Sequence, residues 1–360
     1  MKKIDKSLLI TVIILSLFGL LMIYSSSNIW ANYKFNDPYK YLKSQAIFLF
    51  LGYIIISIIS KINYQIYYKY SNLILLICTV LLVLVLIPGI GTIRNGSRSW
   101  FGIGSFGIQP SEFAKLGLII FTSKYLTNNK IKDIKSSVLP ILLIVFFLFG
   151  LIMLQPDFGT GVILVMTIIA ILFVSGVNMS FFIKIGVLGL IGIVVLVIIA
   201  PYRLERIVSF INPWADPLGS GFQIIQSLYA IGPGGLLGMG LGNSIQKHFY
   251  LPEPQTDFIF SIISEELGFA GVLIVSSLFI IIIYRGISIA LKQEDNFAKY
   301  LAFGISFSFA FQTILNLMVV VGLIPVTGVT LPFLSYGGSS LLVSMTSIGI
   351  LLNISKYNNK

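Results

Sequence analysis

From Leu73 to Ile87, and again from Ile185 to Ala200, the chain runs without one charged side chain. Unbroken apolar runs of this length fit helices crossing a bilayer. A lipid core has no water for unpaired backbone groups, and the strands of a barrel would alternate instead. Composition extends the argument to the whole chain. Of 360 residues, 56% are hydrophobic and 10% are charged, with a mean hydropathy of +0.96. A soluble domain cannot hide that much apolar surface. The expected fold is an all-α integral membrane protein.

Ten spans can be drawn, at residues 7–25, 44–60, 71–87, 110–127, 138–154, 159–176, 181–200, 257–284, 298–321 and 333–353. The N-terminus has a basic start like a signal peptide. Its apolar run is long enough to span and no A-x-A site follows, so an uncleaved first helix is expected. With the N-terminus inside, 15 of the 24 Lys and Arg residues fall on the cytoplasmic side and 8 on the outer side. That bias places both termini in the cytoplasm. Nine of the 13 acidic residues sort the other way, to the outer face or the outer membrane level. The expectation is one membrane domain, 1–360, a polytopic bundle of ten transmembrane helices with one large extracytoplasmic loop at 201–256. Within that loop Phe222, Ile225, Leu228 and Tyr229 share a helical face, as in an amphipathic helix lying on the membrane surface.

Some classes drop out. A single Cys78 allows no disulfide within the chain, and a single His248 with no CxxC leaves no His/Cys metal site. The net charge of +11 has no soluble basic domain to present it to nucleic acid, and cytoplasmic loops facing anionic lipid explain it. The Gly-rich "GPGGLLGMGLGNS", 232–244, lacks the Gly-Lys-Ser/Thr of a phosphate loop and follows no strand, so it reads as a flexible outer loop.

Four clusters could carry chemistry. "LPEPQTDFIFSIISEELGF", 251–269, gathers Glu253, Asp257, Glu265 and Glu266 at the mouth of an apolar run. On a helix starting near Asp257, Glu265 lies about 80° round and about 12 Å deeper. Ionisable groups at that depth read as functional, whereas Glu253 and Asp257 also suit helix capping. "NGSRSWFGIGSFGIQPSEFAKLGL", 95–118, is a Gly-rich outer turn leading into a helix on which Glu112 and Lys115 can neutralise each other. "QPDFGTG", 155–161, places Asp157 at a short outer turn, where it also suits a cap. "GLIPVTGVTLPFLSYGGSSLL", 322–342, breaks the last two spans, and irregular backbone at that level survives only beside protein or a water-filled cavity.

Together these motifs, in order from about residue 88 to 353, resemble the SEDS family (shape, elongation, division, sporulation). The FtsW/SpoVE branch fits better than RodA. The resemblance implies ten transmembrane helices in the bacterial cytoplasmic membrane and a peptidoglycan glycosyltransferase. Such enzymes polymerise lipid II, the undecaprenyl-pyrophosphate-linked disaccharide pentapeptide, on the outer face and release undecaprenyl pyrophosphate. They work with a class B penicillin-binding protein, within division, elongation or sporulation machinery. The family's essential aspartate matches Asp257, and its Gln-Pro-Ser-Glu-x-x-Lys matches Gln109, Pro110, Ser111, Glu112 and Lys115. One departure is Ser99, which stands where relatives often carry an Arg directly before the Trp; Arg98 lies one earlier.

Chain growth joins a sugar 4-hydroxyl to an anomeric carbon and inverts it. One carboxylate that takes the hydroxyl proton suffices as base, and Asp257 is assigned that role. Arg98, Arg203, Arg206 and Lys247 are expected at the leaving pyrophosphate. Glu112, Lys115, Asp157, Glu265 and Ser335 are expected as polar substrate contacts, with the deeper glutamates supporting a polar cavity beneath Asp257. A divalent cation, Mg2+ or Mn2+, could bridge Asp257 and the pyrophosphate, and no organic cofactor is expected. Two other functions compete: a lipid II flippase, and a non-catalytic scaffold for the penicillin-binding protein.

Overall fold

The computed structural model describes the backbone at 4–94, 96–102, 107–129, 134–199 and 201–357; the side chains at 134, 135, 193, 199 and 201–203 lie outside that description. Helices dominate. They are α1 (Lys6–Phe35), α2 (Lys40–Ile59), α3 (Gln65–Leu84), α4 (Pro110–Asn128), the single turn α5 (Ile134–Ser137), α6 (Leu139–Met153), α7 (Phe158–Val174), α8 (Met179–Ile199), α9 (Pro201–Ile211), α10 (Phe222–Ile231), α11 (Ile259–Leu291), α12 (Asn296–Val320) and α13 (Gly338–Ser355). Each of the ten stretches drawn from the sequence contains a helix. Among the described residues seven are long and apolar enough to cross a membrane: α1, α2, α3, α8, α11, α12 and α13. Helices α6 and α7 are apolar but shorter.

The boundaries moved for local reasons. The side chain of Asp5 caps α1 by accepting from Leu8 N–H at 2.9 Å, and the helix stops only at Asn36, which is left-handed at φ 53°. Its 30 residues span about 45 Å, against about 30 Å of hydrocarbon core. Hydropathy marked where α1 leaves the lipid, not where the helix ends. Helix α13 begins at Gly338 rather than 333, because 321–337 forms an irregular segment between α12 and α13. That segment dips among the helices. The Phe333 carbonyl packs on Gly19 of α1, where a Cβ would come within 2.4 Å.

Burial orders the bundle. Most of α13 is enclosed, packed against α2, whereas α8 is almost wholly exposed on the outside. Helix α11 packs along both α1 and α12. An antiparallel hairpin, β1 (Thr92–Arg94) with β2 (Ser97–Trp100), forms where the sequence promised only a tight loop. Arg94 pairs with Ser97, leaving two residues for the turn, and Gly96 takes φ 79° as such turns demand.

Helix α11 is broken at Gly268, whose φ of 61° and ψ of −158° only glycine adopts easily. The Gly-rich loop docks there. Met239 and Gly240 N–H donate to the carbonyls of Glu265 and Glu266, each at 2.9 Å, and Phe269 and Ala270 N–H donate to Gly235 and Leu236 at 2.9 and 3.0 Å. A Cβ on Gly268 would meet the Gly238 nitrogen at 2.4 Å. Gly234 and Gly238 therefore serve close backbone packing on α11, and the flexible loop expected there is an ordered one. Helix α10 also differs from expectation. It buries Ile224, Ile225, Ser227 and Ala230 against protein, and Ser227 donates to the Val320 carbonyl at 2.7 Å.

Candidate active site

Asp257 stands two residues ahead of α11, part-exposed, with no side-chain cap on the helix that follows. Its main chain is held from several directions. The Asn316 side-chain amide donates to the Asp257 carbonyl at 2.7 Å and to the Val329 carbonyl at 2.7 Å. Ser335 Oγ donates to the Thr256 carbonyl at 2.7 Å while accepting from Leu331 N–H at 2.8 Å. Tyr336 N–H donates to the Gln255 carbonyl at 2.8 Å. The irregular 321–337 segment is thus the frame on which 255–257 is mounted. Gly328 lies beside the carboxylate, since a Cβ there would be 3.7 Å from Asp257 Oδ2.

The charges around this carboxylate are mixed. Burial first, then the neighbouring Glu253, push the Asp257 carboxyl up to about 6, against Arg206 and a hydrogen bond from Thr256; Asp157 adds a smaller upward push. Asp257 precedes the first turn of α11 and does not cap it, and desolvation is the largest cause of the shift. Arg206 is anchored by Nη1 donating to the Val326 carbonyl at 2.9 Å, so the same irregular segment positions both the acid and the cation facing it.

Asp157 joins the site from the other side. Its Oδ1 caps α7 by accepting from Thr160 N–H at 3.2 Å, and its Oδ2 accepts from Gln109 Nε2 at 2.9 Å and Ser111 Oγ at 3.1 Å. Gln109 N–H donates to Ser339 Oγ at 3.0 Å, and Ser339 Oγ donates to the Gly107 carbonyl at 2.9 Å. Three of the four sequence clusters are fastened together here. Ser97 Oγ donates to the Gln155 carbonyl, which ties the hairpin to the same place. Ser99 is buried and bonded to Ser97 at 2.9 Å.

Glu112 and Lys115 form a buried pair at 3.0 Å. Lys115 also donates to Gln312 Oε1 at 3.0 Å, and Gln312 Nε2 donates to the Thr330 carbonyl at 2.9 Å. The pair's charges are thereby closed on each other, and it props the irregular segment from below rather than facing the outer site.

Glu265 and Lys247 are placed differently from the expectation. Glu265 is fully buried and accepts from Ser244 Oγ at 2.5 Å, Ile245 N–H at 2.7 Å and Gln246 N–H at 3.4 Å. Glu266 accepts from Ser25 Oγ at 2.7 Å and pairs with Lys247 at 3.2 Å; Lys247 also donates to the Gly242 carbonyl. The two glutamates are taken up by donors of the outer loop and, for Glu266, by Ser25 of α1. The Lys247 ammonium is turned inward, with its side chain 2% exposed, away from any outer anion.

Arg98 stands on β2, with no contact to Asp257 among the described residues. Arg203 belongs to α9, and its side chain lies outside the described ones. Sequence reasoning missed Asn316, Gln312 and Arg94. The Arg94 guanidinium lies over Gly107, next to the Gln109 segment, and stacks on Trp100 at 5.0 Å. The readable signal was the pair of amides, Gln312 and Asn316, one helical turn apart inside an otherwise apolar span.

Among the described residues no group of three or more His, Cys, Asp or Glu could hold a metal ion. Asp157 already has its oxygens engaged, which leaves Asp257 with Glu253 as its neighbouring carboxylate, and any divalent ion would need the substrate's own phosphates as further ligands.

A multi-pass helical membrane protein with a framed, charge-flanked aspartate at the mouth of one helix is the class these features define. The chain belongs to the FtsW/RodA/SpoVE cell cycle protein family, whose model matches residues 5–360. It is 53% identical to the stage V sporulation protein E of Bacillus subtilis, over 99% of each chain. It is 43% identical to the probable peptidoglycan glycosyltransferase FtsW of Trichlorobacter lovleyi, over 98% of this chain and 93% of that one. Among solved structures it resembles a chain of a peptidoglycan synthase complex described as coordinating polymerization and crosslinking, with a TM-score of 0.81, 30% identity and 99% of each chain covered. It also resembles the rod shape determining protein RodA of Thermus thermophilus, with a TM-score of 0.74 and 27% identity, covering 99% of this chain and 98% of that one.

Proposed function

We propose that this chain is a peptidoglycan glycosyltransferase that polymerises lipid II on the outer face of the cytoplasmic membrane, with Asp257 as general base. The observation that carries the reading is Asp257 itself. It is a part-exposed carboxylate with its main chain clamped by Asn316 and its neighbour Thr256 held by Ser335; its carboxyl is pushed up to about 6. A pKa just below working pH leaves the group ionised yet basic enough to take a proton, an effect typically worth about 10²–10⁴-fold.

The 4-hydroxyl of one disaccharide attacks the anomeric carbon of a lipid-linked sugar. Asp257 accepts the hydroxyl proton, the glycosidic bond forms with inversion, and undecaprenyl pyrophosphate departs with the bonding electrons. Arg206 is the cation best placed to draw the pyrophosphate toward Asp257, and Arg98 and Arg203 remain candidates for the same anion. Were a divalent ion, Mg2+ or Mn2+, held at Asp257, it would supply positive charge against the leaving pyrophosphate. Asp157, Glu112, Lys115 and Ser335 act by fixing the frame.

The membrane reading goes with it. The ten helices cross as one domain, 1–360, with 201–256 outside and both termini in the cytoplasm. The partner is a class B penicillin-binding protein, supported by the likeness to a chain of a peptidoglycan synthase complex. The 53% identity to a stage V sporulation protein favours sporulation as the process served. A flippase would need a polar route from face to face, whereas the buried Glu112–Lys115 pair is already spent on itself and on Gln312. The test is purified chain, alone and with its penicillin-binding protein, given labelled lipid II in detergent. Glycan polymer on a gel is expected, and intact lipid II in both samples would contradict the reading.

A further inference from the structure

Beside the outer end of α1 lies a recess of about 250 Å³, apart from the Asp257 frame. Trp30, Phe249, Leu251, Pro252 and Pro254 form its walls, and Glu253 also lines it. The aromatic wall is braced. Trp30 meets Phe249 edge-on at 5.7 Å, and Tyr33 meets the same ring edge-on at 5.3 Å. Two lining residues hold backbone conformations that side chains rarely adopt: Phe249 at φ 68° and Glu253 at φ 44°. Such conformations persist where the surroundings over-determine them, and they cluster at ligand sites.

The chemistry of the lining narrows the ligand. Lys247 also lines the recess, but its ammonium is spent on Glu266 and the Gly242 carbonyl, so it offers no cation to a phosphate. The Lys34 ammonium lies 5.5 Å from the centroid of the Trp30 ring, so a donor joins the flat aromatic and proline faces and the one carboxylate; such a lining suits a ring that has apolar C–H faces and a polar edge, which describes a pyranose. Aromatic faces carry negative charge density that attracts such polarised C–H groups. The recess is also joined to the reacting centre. Thr256 N–H and Oγ1 both donate to the Glu253 carbonyl, at 3.0 and 2.8 Å, so a single turn separates the recess from Asp257. The charge of Glu253 is felt at Asp257. Depth agrees. Trp30 lies about five residues beyond the roughly 20 that fill the core from Lys6, near the head-group level where sugars are presented.

We propose that this recess is a saccharide subsite that holds one N-acetylhexosamine ring of the glycan next to the reacting sugar, stacked on Trp30 and hydrogen-bonded by Glu253. It rests on the polymerase reading and adds the step that keeps a growing strand bound between additions.

The test uses the full chain in detergent and two readouts. The first is binding of a soluble β-1,4-linked N-acetylglucosamine tetramer, by calorimetry, to the Asp257→Asn variant, in which turnover is not needed. Saturable binding is expected, weakened at least about tenfold by adding Trp30→Ala or Glu253→Gln, with Trp30→Phe in between. The second is strand length from labelled lipid II, where Trp30→Ala and Glu253→Gln should shift product to short strands per lipid II consumed. Glu253→Gln is isosteric and on an exposed residue, so it remains informative if Trp30→Ala does not fold. Tetramer affinity and strand length both unchanged in these variants would overturn the subsite while leaving the polymerase reading intact. Tetramer binding through Trp30 by a chain that makes no polymer would support the subsite and defeat the polymerase reading. Unchanged strands with loss of co-purifying penicillin-binding protein would make the recess a protein-docking surface and overturn the proposal.

Discussion

Asn316 on α12 holds Asp257 by its main chain, donating to the Asp257 and Val329 carbonyls at 2.7 Å each. The base and the irregular segment are thus locked to one side chain deep in a membrane helix. Asn316→Leu keeps the volume and removes the donor. Leaving a buried acceptor unpaired costs about 1–3 kcal/mol, so a modest fall in melting temperature is expected. Polymerisation should fall further, by about 10-fold or more, because misplacing a base by a fraction of an ångström weakens proton transfer. A variant with wild-type polymer yield would mean the clamp does not matter.

The pH profile follows from the Asp257 carboxyl at about 6. A base works deprotonated, so kcat/KM should rise about tenfold per pH unit below 6 and level off above it. Arg206 lowers this pKa and Glu253 raises it. Arg206→Ala should therefore move the acidic limb to higher pH, and Glu253→Gln to lower pH. Burial is the largest cause and remains in both variants, so neither shift should return the limb to the ordinary carboxylate range. A limb unmoved in both would detach these residues from the base.

Lys247 and Glu266 give a stability test with a functional edge. Removing one partner of a buried pair costs about 3–5 kcal/mol, whereas replacing both with apolar groups is often neutral. Lys247→Met and Glu266→Leu should each lower the melting temperature in detergent, and the double variant should recover much of it. The double variant should also polymerise lipid II, because Lys247 faces inward. A folded but inactive double variant would restore Lys247 to the pyrophosphate site.

Topology can be read by labelling. In a background with Cys78 replaced, single cysteines at 132, 230 and 295 should react with an impermeant thiol reagent in whole cells only at 230. Reaction at 132 or 295 would reverse the orientation drawn from the Lys/Arg bias.

The helices were legible because lipid imposes a period and a length that hydropathy reports directly. Their ends were less so. The extension of α1 to Phe35 depends on the turn at Asn36, and the break at Gly268 depends on a loop some 30 residues earlier docking against it. The site was legible in part. Asp257, Asp157 and Gln109 stood out as polar residues in short motifs, and they do converge. Glu265 and Lys247 looked equally functional by charge and depth. Their partners, backbone N–H groups at 245 and 246 and the Glu266 carboxylate, come from chain reversals that spacing does not encode. Asn316 and Gln312 were hidden for the opposite reason: single neutral amides in apolar helices carry weak sequence signal until the carbonyls they serve are known.

The central claim is that an ionised Asp257 takes the proton of the attacking hydroxyl. Asp257→Asn keeps shape and main-chain contacts but cannot accept that proton. Assayed with preformed lipid II in detergent, where no transport is required, the variant should insert, fold and bind its partner normally while polymerising at least about 10²-fold more slowly. Polymer formed at close to the wild-type rate would contradict the account.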